Sequence, residues 1–221
     1  MSVSKRLQAI LDLIDKTDVI VDVGTDHGYL IIQAIKDGKC KKAYGLDIAS
    51  GPLSYAQRNV IEHGFESYIE LELMDGLEDF DQDANTFVIA GMGAETILSI
   101  LDNYEFNTNQ RLIIQSNTKH YWLRKELIER GFHFIDEMFL YDNKKAVTLF
   151  KIKKGQKSYS DKELYLGPIL CKQDNKPYHQ YLKKEYKKIQ EVSKFNTDYI
   201  KLLDYLKEYL LEKGVINETN N

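Results

Sequence analysis

The sequence is poor in cysteine, in proline and in long apolar runs, and each shortage excludes a class of protein. Its two cysteines, Cys40 and Cys171, lie far apart without the spacing of zinc ligands, so we expect no metal site. Three prolines in 221 residues argue against a long disordered linker. No segment approaches the roughly 20 apolar residues of a membrane-spanning helix, and residues 1–16 lack the apolar stretch of a signal peptide. The composition therefore predicts a folded cytoplasmic protein with no membrane partner.

An excess of basic residues is also missing. The net charge is −4, and residues 1–155 carry 18 Lys and Arg against 24 Asp and Glu. Residues 156–221 are mildly basic, with 12 against 10. Nucleic-acid-binding proteins usually have a basic surface, so the composition alone does not indicate RNA.

Apolar runs alternate with helical patterns over residues 7–130. The runs predict strands at residues 19–23, 43–46, 69–73, 86–90 and 112–114, and helical spacing predicts helices at residues 7–14, 29–36, 52–62, 95–101 and 120–130. Residues 132–141 and 146–152 flank a polar turn at 142–145 and predict an antiparallel hairpin. The pattern indicates an α/β fold: a Rossmann-like, doubly wound, mostly parallel seven-stranded sheet that ends in this hairpin.

The character of the chain changes near Gly155. A polar stretch at 155–160 precedes helical spacing over residues 178–192 and again over 199–210, with Asn196, Thr197 and Asp198 in between as capping residues for the second helix. We predict an α/β domain in residues 1–155 and a coiled-coil-like helical hairpin in residues 156–221. One long helix is the alternative, because the apolar phase drifts only slightly between the two runs.

A glycine-containing turn follows the first predicted strand. The segment DVGTDHGYL at residues 22–30 places Gly24 and Gly28 between the strand and the next helix, where the backbone can turn sharply and approach a ligand. A plain strand-to-helix turn has the same pattern, so the turn alone does not identify a ligand.

Asp47, at the end of the second predicted strand, adds information to this turn. In dinucleotide-binding folds, a carboxylate at this place accepts hydrogen bonds from a ribose. Asp26 puts a negative charge in the turn, which repels a pyrophosphate and attracts the sulfonium and ammonium groups of S-adenosylmethionine. The sequence therefore favours S-adenosylmethionine over NAD, and a terminal hairpin is typical of methyltransferases that use it.

Three further segments follow later strands. Asp75 and Gly76 come after the third strand, where methyltransferases usually place a side chain against the adenine of the cofactor, although a plain Asp-Gly turn looks the same. The segment AGMG at 90–93 closes the fourth strand, and QSN at 115–117 ends the fifth. The carboxyl ends of parallel strands line the ligand crevice of such sheets, so an amide here can hold a substrate edge.

Together these segments resemble the bacterial tRNA (adenine(22)-N1)-methyltransferase family. The resemblance rests on residues 22–30, Asp47, MDGL at 74–77, AGMG at 90–93 and QSN at 115–117, with SKRL at 4–7. It extends over the whole chain, because the family has a C-terminal helical extension entered through a segment like LGPIL at 166–170. Ile31, Ala94 and Ser116 depart from the family pattern, and the proline usual in place of Ser116 would hold the following residue more rigidly.

The resemblance implies methyl transfer from S-adenosylmethionine to N1 of an adenine at position 22, in the D-loop region of tRNA. Neutral adenine has a lone pair on N1, so catalysis depends on positioning and electrostatics rather than on a strong base. We expect Asp26 to face the reacting centre, Asn117 to hold another part of the adenine and Met92 to pack against it. Asp26 could instead cap the following helix.

Two larger sets of residues are expected around this centre. The expected cofactor-binding residues are Asp22, Gly24, Thr25, His27, Gly28, Tyr29, Asp47, Ile48, Asp75, Gly76, Ala90 and Gly91. The expected RNA-binding residues are Lys5, Arg6, Arg58, Lys119, Lys144, Lys145, Lys183 and Lys187, each of which could equally be a solvated surface charge. The tyrosines of the C-terminal part are expected to pack in the helical hairpin, with stacking on RNA as the alternative. The protein is expected to be a monomer.

Other functions remain open at this point. A methyltransferase acting on a small molecule or a protein would suit the acidic residues 1–155. A nucleotide-dependent oxidoreductase is disfavoured by Asp26 and by the terminal hairpin. A non-catalytic tRNA-binding protein could retain the same fold.

Overall fold

The computed structural model describes residues 4–16, 18–196 and 199–217. Its strands are β1 (Asp18–Val23), β2 (Cys40–Asp47), β3 (Ile69–Leu73), β4 (Thr86–Met92), β5 (Arg111–Ser116), β6 (Phe132–Asp142) and β7 (Lys145–Lys154). Its α-helices are α1 (Lys5–Leu13), α2 (Tyr29–Lys36), α3 (Ser50–His63), α4 (Ala94–Asp102), α5 (His120–Glu129), α6 (Asp161–Leu166), α7 (Lys176–Ser193) and α8 (Ile200–Glu212). None of these helices is long and apolar enough to cross a bilayer.

The strands form one seven-stranded sheet in the order β3-β2-β1-β4-β5-β7-β6. Strands β1 to β5 are parallel, and β7 lies antiparallel between β5 and β6. The strand order reverses at β1, which has β2 on one side and β4 on the other. In open α/β sheets such a switch point forms a ligand crevice at the carboxyl ends of the strands. The predicted fold class is confirmed.

Side chains of the central strands alternate between two apolar layers. Phe87 and Ile89 of β4 belong to the cluster that includes α4 and α5, whereas Val88 packs with α1 and α2. Strands buried on both faces read as nearly continuous apolar runs, which is why the sequence located them.

The β6–β7 turn is tighter than the four residues predicted. Asp142 pairs with Lys145, so only Asn143 and Lys144 form the turn, with φ of 46° and 69°. Two successive residues with positive φ are the geometry of a two-residue hairpin turn. The pairing of β5 with β7 ends at Gln115 and Leu149, so residues 142–148 extend beyond the last paired residue of β5.

Helices α7 and α8 form an antiparallel hairpin. Lys183 in α7 donates a hydrogen bond to the carbonyl oxygen of Val215 over 3.0 Å, so the first half of α7 meets the residues after α8. The prediction of two helices is confirmed, and the alternative of one long helix is wrong. Of the predicted capping residues, Thr197 and Asp198 lie outside the described residues. Tyr199 occupies the N-cap of α8 without a side-chain cap hydrogen bond.

A buried ion pair fastens the C-terminal part to the α/β part. Arg124 of α5 donates to Glu137 of β6 over 2.8 Å, and the two side chains are only 3% and 0% exposed. The other carboxylate oxygen of Glu137 accepts from the backbone N–H groups of Ile169 (2.8 Å) and Leu170 (3.1 Å). The segment after α6 therefore wraps around a buried charge.

Sequence patterns missed α6 and a 3-10 turn at Leu170–Lys172. Six and three residues are too short to show a helical period. The start of α6 is nevertheless marked by a capping box, in which Ser160 and Glu163 exchange side-chain and backbone hydrogen bonds.

Candidate active site

A cavity of about 360 Å³ lies at the carboxyl ends of β1 and β4, where the strand order reverses. Seven predicted catalytic or cofactor-binding residues line it: Asp22, Gly24, Thr25, Asp26, His27, Tyr29 and Ala90. The opposite wall comes from α1 and α2 and includes Arg6 together with four residues that the sequence did not reveal, Leu7, Ile10, Leu30 and Gln33. Arg6 was predicted as a phosphate-binding residue, and the structure places it inside this cavity.

Asp22 is the buried carboxylate of the cavity, with only 6% of its surface exposed. The hydroxyl of Thr25 donates a hydrogen bond to its Oδ2 over 2.8 Å. Burial raises the pKa of Asp22 to about 7, although the hydrogen bond from Thr25 opposes this shift. A buried carboxylate of this kind gains most from a cationic ligand, because the ligand's charge compensates the cost of burial.

Gly24, which lines the cavity, packs closely against Met92 at the end of β4. Gly24 has φ of +75°, and a Cβ added to it would lie 2.5 Å from Cε of Met92. Met92 is half-buried and packs against the core cluster of the α4 and α5 layer. The turn therefore needs glycine for its conformation and for the space that Met92 occupies.

Asp26 and Asp47 connect the loops that follow β1 and β2. The backbone N–H of Asp26 donates to Oδ2 of Asp47 over 3.1 Å, and Oδ1 of Asp47 accepts from the N–H of Ala49 over 2.9 Å. Asp26 has φ of +51°, and its side chain is 67% exposed. The N-cap of α2 is Gly28, without a side-chain cap hydrogen bond, so the interpretation of Asp26 as the helix cap is wrong.

Three aromatic rings stand together at the rim. His27 stacks on Tyr29 with ring centroids 5.5 Å apart, and Tyr55 of α3 meets His27 edge-on at 5.4 Å. The guanidinium of Arg58 lies 4.5 Å from the centre of the Tyr55 ring. Tyr29 is therefore a partly exposed lining residue rather than a core residue. Tyr55 was missed, and its place one helical turn before Arg58 is the pattern that could have found it.

A set of hydrogen bonds joins the ends of β4 and β5. Oε1 of Gln115 accepts from the N–H of Gly91 (3.1 Å) and from Arg6 (3.3 Å), and its Nε2 donates to Oδ1 of Asn117 (3.1 Å). Nδ2 of Asn117 donates to the carbonyl oxygen of Gly91 over 2.7 Å. Asn117 thus holds the glycine segment after β4, and one N–H of its amide is left for a substrate.

The remaining predicted cofactor residues lie outside this cavity. Ile48 is 67% exposed and Asp75 is exposed, next to the ends of β2 and β3. Gly28 and Gly76 leave room for neighbouring helices, since a Cβ would lie 3.3 Å from Ala56 in the first case and 3.0 Å from Ile100 in the second.

Two further cavities continue from the first along the projecting hairpin. One, of about 360 Å³, is lined by Arg6, Asn117 and Lys145 among others, and the next, of about 960 Å³, includes Lys5, Lys144 and Lys184. They share Asp142 and Asn143 in the hairpin. We call the five cations Lys5, Arg6, Lys144, Lys145 and Lys184 the basic surface. Within the described residues, none of the five has a carboxylate within ion-pair distance.

The other predicted RNA-binding residues are dispersed. Lys119 forms an ion pair with Glu95 and lies over the ring of Trp122. Lys183 donates a hydrogen bond to the carbonyl oxygen of Val215, whereas Lys187 is exposed on α7. Tyrosines 178, 186 and 209 are buried in the helical hairpin, as their spacing predicted. No group of three or more potential metal-ligating side chains occurs in the part of the chain that the structure describes.

The sequence is similar to those of known proteins. A family model described as tRNA (adenine(22)-N(1))-methyltransferase matches residues 20–213. The tRNA (adenine(22)-N(1))-methyltransferase of Bacillus subtilis is 30% identical over 184 residues, which cover 79% of this chain and 77% of that protein.

Two solved structures have the same fold over nearly the whole chain. Sp1610 of Streptococcus pneumoniae, in complex with S-adenosyl-L-methionine, has a TM-score of 0.85 and 29% identity, covering 95% of this chain and 100% of that one. TrmK of M. capricolum, in complex with S-adenosyl-homocysteine, has a TM-score of 0.82 and 28% identity, covering 98% and 100%. The similarity therefore includes the C-terminal helices.

Proposed function

Since the chain belongs to the tRNA (adenine(22)-N(1))-methyltransferase family, we propose that it transfers the methyl group of S-adenosylmethionine to N1 of adenine 22 of tRNA in the cavity at the β1–β4 switch point. One observation carries the assignment of the cavity. A buried carboxylate, an exposed carboxylate and a cation, those of Asp22, Asp26 and Arg6, line the same space.

The residues of the cavity fit S-adenosylmethionine. Asp22 offers a buried carboxylate for a cationic group, and the turn at Gly24 leaves backbone exposed where a side chain would clash with Met92. Asp47 lies where a ribose is bound in related sheets, and Ile48 and Asp75 flank it on the side of the adenine. When bound, the cofactor supplies an electrophilic methyl group on a sulfonium.

Asp26 is the residue that we assign to the reacting adenine. Its carboxylate accepts a hydrogen bond from the N6 amino group and offsets the positive charge that develops on the ring as N1 becomes methylated. Asn117 offers its remaining N–H to another edge of the base, and Met92 packs against the ring. No proton has to leave N1 before attack, so His27 is not needed as a general base. It stacks on Tyr29 and positions the rim of the cavity.

The basic surface supplies the phosphate contacts. An adenine within folded tRNA must be exposed before its N1 edge can react, which costs a few kcal/mol. Lys5, Lys144, Lys145 and Lys184 lie along the cavities that lead from Arg6, so phosphate contacts there offset this cost.

The same proposal covers the organisation of the protein. Residues 1–155 hold the cofactor and carry out the transfer, and residues 156–221 extend the RNA-binding surface through α7. The active form in this proposal is a monomer. Attack by the N1 lone pair needs no metal ion, and tRNA as the substrate supports a cytoplasmic enzyme.

Incubation of unmodified tRNA with the protein and S-adenosylmethionine, followed by nucleoside analysis, tests this function. We expect 1-methyladenosine and no other methylated nucleoside. Calorimetry should show binding of S-adenosylmethionine and none of NAD. Methyl transfer to small molecules or proteins but not to tRNA would overturn the proposal, and so would tRNA binding without methyl transfer.

A further inference from the structure

Another cavity, of about 370 Å³, lies between α5 and α7, and we call it the aromatic cavity. Thr148 of β7 lines it, whereas the preceding residue, Val147, lines the cavity that contains Asn117. Neighbouring residues of a strand point to opposite faces of the sheet, so the two cavities lie on either side of the projecting hairpin. Lys119, two residues beyond Asn117, also lines the aromatic cavity.

The walls of this cavity are mainly aromatic. They include Tyr121, Trp122, Tyr165, Tyr178 and Tyr181. Two of these rings are fixed by hydrogen bonds from their hydroxyls: Tyr178 donates to the carbonyl oxygen of Leu166 over 2.6 Å, and Tyr121 donates to Asp161 over 2.5 Å. Trp122 is 37% exposed, so part of its ring is available to a planar ligand.

Hydrogen-bonding groups accompany the rings. Nε2 of His120 donates to the carbonyl oxygen of Ser116 over 2.9 Å. Burial lowers the pKa of His120 and so favours the neutral ring, in which Nδ1 is an acceptor. Among the described residues, the hydroxyls of Tyr165 and Tyr181 have no hydrogen-bond partner. The cavity therefore offers both donors and an acceptor.

The charges around the cavity are mixed. Arg124 is buried and paired with Glu137, and Lys119 is paired with Glu95. Glu185, which pairs with Lys188, contributes a carboxylate to the lining. A phosphate would meet Glu185 and two cations that already have partners. A neutral planar ligand with hydrogen-bonding edges suits these walls better than an anion does.

We propose that this cavity binds a nucleobase of the tRNA other than the adenine that is methylated. The inference rests on the proposed function, since the base belongs to the same substrate. Unpaired bases of RNA are commonly recognised by aromatic side chains on which they stack and by hydrogen bonds to their edges. In this arrangement α7 contributes to recognition through Tyr181, which is half-buried, and not only through the charge of Lys184.

Trp122 is the single tryptophan of the chain and lines this cavity, so fluorescence excited selectively at tryptophan reports on its surroundings. Unmodified substrate tRNA, added with S-adenosylhomocysteine to prevent turnover, should quench the emission in a saturable way. A fully paired RNA duplex, which presents no free base, should leave it unchanged. Unchanged emission at tRNA concentrations that saturate binding in a filter assay would overturn the proposal.

Kinetics of variants provide the second readout. Trp122→Ala and Tyr181→Ala should each raise the KM for tRNA roughly 5- to 140-fold, the range expected for loss of one base–aromatic stack, with the KM for S-adenosylmethionine unchanged. Trp122→Phe keeps a stacking ring and should stay near wild type. Tyr68→Ala removes an exposed ring that precedes β3 and serves as the matched control.

The outcomes separate the two proposals. If the wild type forms no 1-methyladenosine on tRNA, the proposed function fails. If it does so and Trp122→Ala and Tyr181→Ala both keep the wild-type KM for tRNA, the base-binding cavity is refuted while the function stands. Should Trp122→Ala fail to fold, the KM of Tyr181→Ala for tRNA and the wild-type fluorescence titration still decide whether the cavity binds a base.

Discussion

The backbone N–H of Asp26 donates a hydrogen bond to the carboxylate of Asp47 over 3.1 Å and so joins the loops at the ends of β1 and β2. Asp26 has a positive φ, a conformation that aspartate tolerates better than most residues. The carboxylate of Asp47 thus holds the residue that we assign to the adenine, while Asp26 lines the cavity and its side chain remains exposed. A group held in this way is oriented before the substrate arrives, which lowers the cost of binding.

Replacement of Asp26 should stop methyl transfer without unfolding the protein. Asp26→Asn keeps the shape of the side chain and tolerates the positive φ, so it removes only the charge. We expect kcat to fall about 100-fold in Asp26→Asn and at least as far in Asp26→Ala, because stabilisation of developing charge is lost. Single-turnover kinetics measure the rate, and an unchanged thermal unfolding curve is the control. A near-normal rate in either variant would exclude this role.

Binding of S-adenosylmethionine should depend on pH through Asp22. Burial raises the pKa of this carboxyl to about 7, and a cationic ligand binds its ionised form. Affinity should therefore increase as the pH rises, by about tenfold between roughly pH 6 and pH 8. Calorimetric titrations across this range measure the slope.

Asp22→Asn is the control for that slope. Without the titrating group, affinity should be low and nearly independent of pH over the same range. The stability of the unliganded protein gives an independent check. A carboxyl with a raised pKa favours the folded state below its ordinary pKa of 3.8, and this contribution is lost as the pH rises through about 7. The Asn variant should lack that decline, and an identical decline in both proteins would contradict the assignment.

The basic surface should govern the salt dependence of tRNA binding. Lys144 and Lys145 have no carboxylate partner among the described residues, so we expect the Lys144→Ser, Lys145→Ser double variant to weaken tRNA binding and to reduce the log–log salt slope by about 1 per lost phosphate contact. The KM for S-adenosylmethionine should not change. In the matched control, Lys42→Ser with Lys194→Ser, both lysines already pair with carboxylates, those of Glu70 and Glu191. Equal effects of the two double variants would contradict a specific surface.

The buried pair of Arg124 and Glu137 should be a main determinant of stability. Glu137→Gln leaves the buried guanidinium without its counter-charge and should cost about 3–5 kcal/mol in the free energy of unfolding. Adding Arg124→Met should restore part of the loss, because no unpaired charge then remains. Urea unfolding measures the free energy of unfolding of the single and the double variant. Glu191→Gln, in an exposed pair with Lys194, should cost less than about 1 kcal/mol, and an equally small cost for Glu137→Gln would refute the prediction.

The sequence predicted those parts of the fold that consist of long, regular patterns. Ile20, Val21 and Val23 of β1 are fully or almost fully buried, and the need for apolar residues at buried positions produced the run from which the sequence predicted this strand. The turn after β1 was predicted because glycines mark a sharp change of direction. Strand ends differed by up to three residues, as for β2, which begins at Cys40. The site residues at the carboxyl ends of β1 and β2 followed from the same patterns.

Contacts between distant segments were beyond sequence reasoning. Arg6 and Gln115 are 109 positions apart, and no local pattern links them. Glu137 interrupts the apolar pattern of β6 as a solvent-facing residue would, yet it is 1% exposed because Arg124 and two backbone N–H groups satisfy it. The basic surface also depends on the fold, since three separate segments bring its cations together in a chain whose net charge is −4.

Methylation of two unmodified tRNAs that differ only at nucleotide 22 tests the central claim most directly. With adenosine at this position, we expect one methyl group per tRNA, recovered as 1-methyladenosine and mapped to nucleotide 22. With guanosine there, no methylation is expected, and Asp26→Ala should be inactive on both. Methylation of both tRNAs, or of an adenosine elsewhere in the molecule, would contradict the claim.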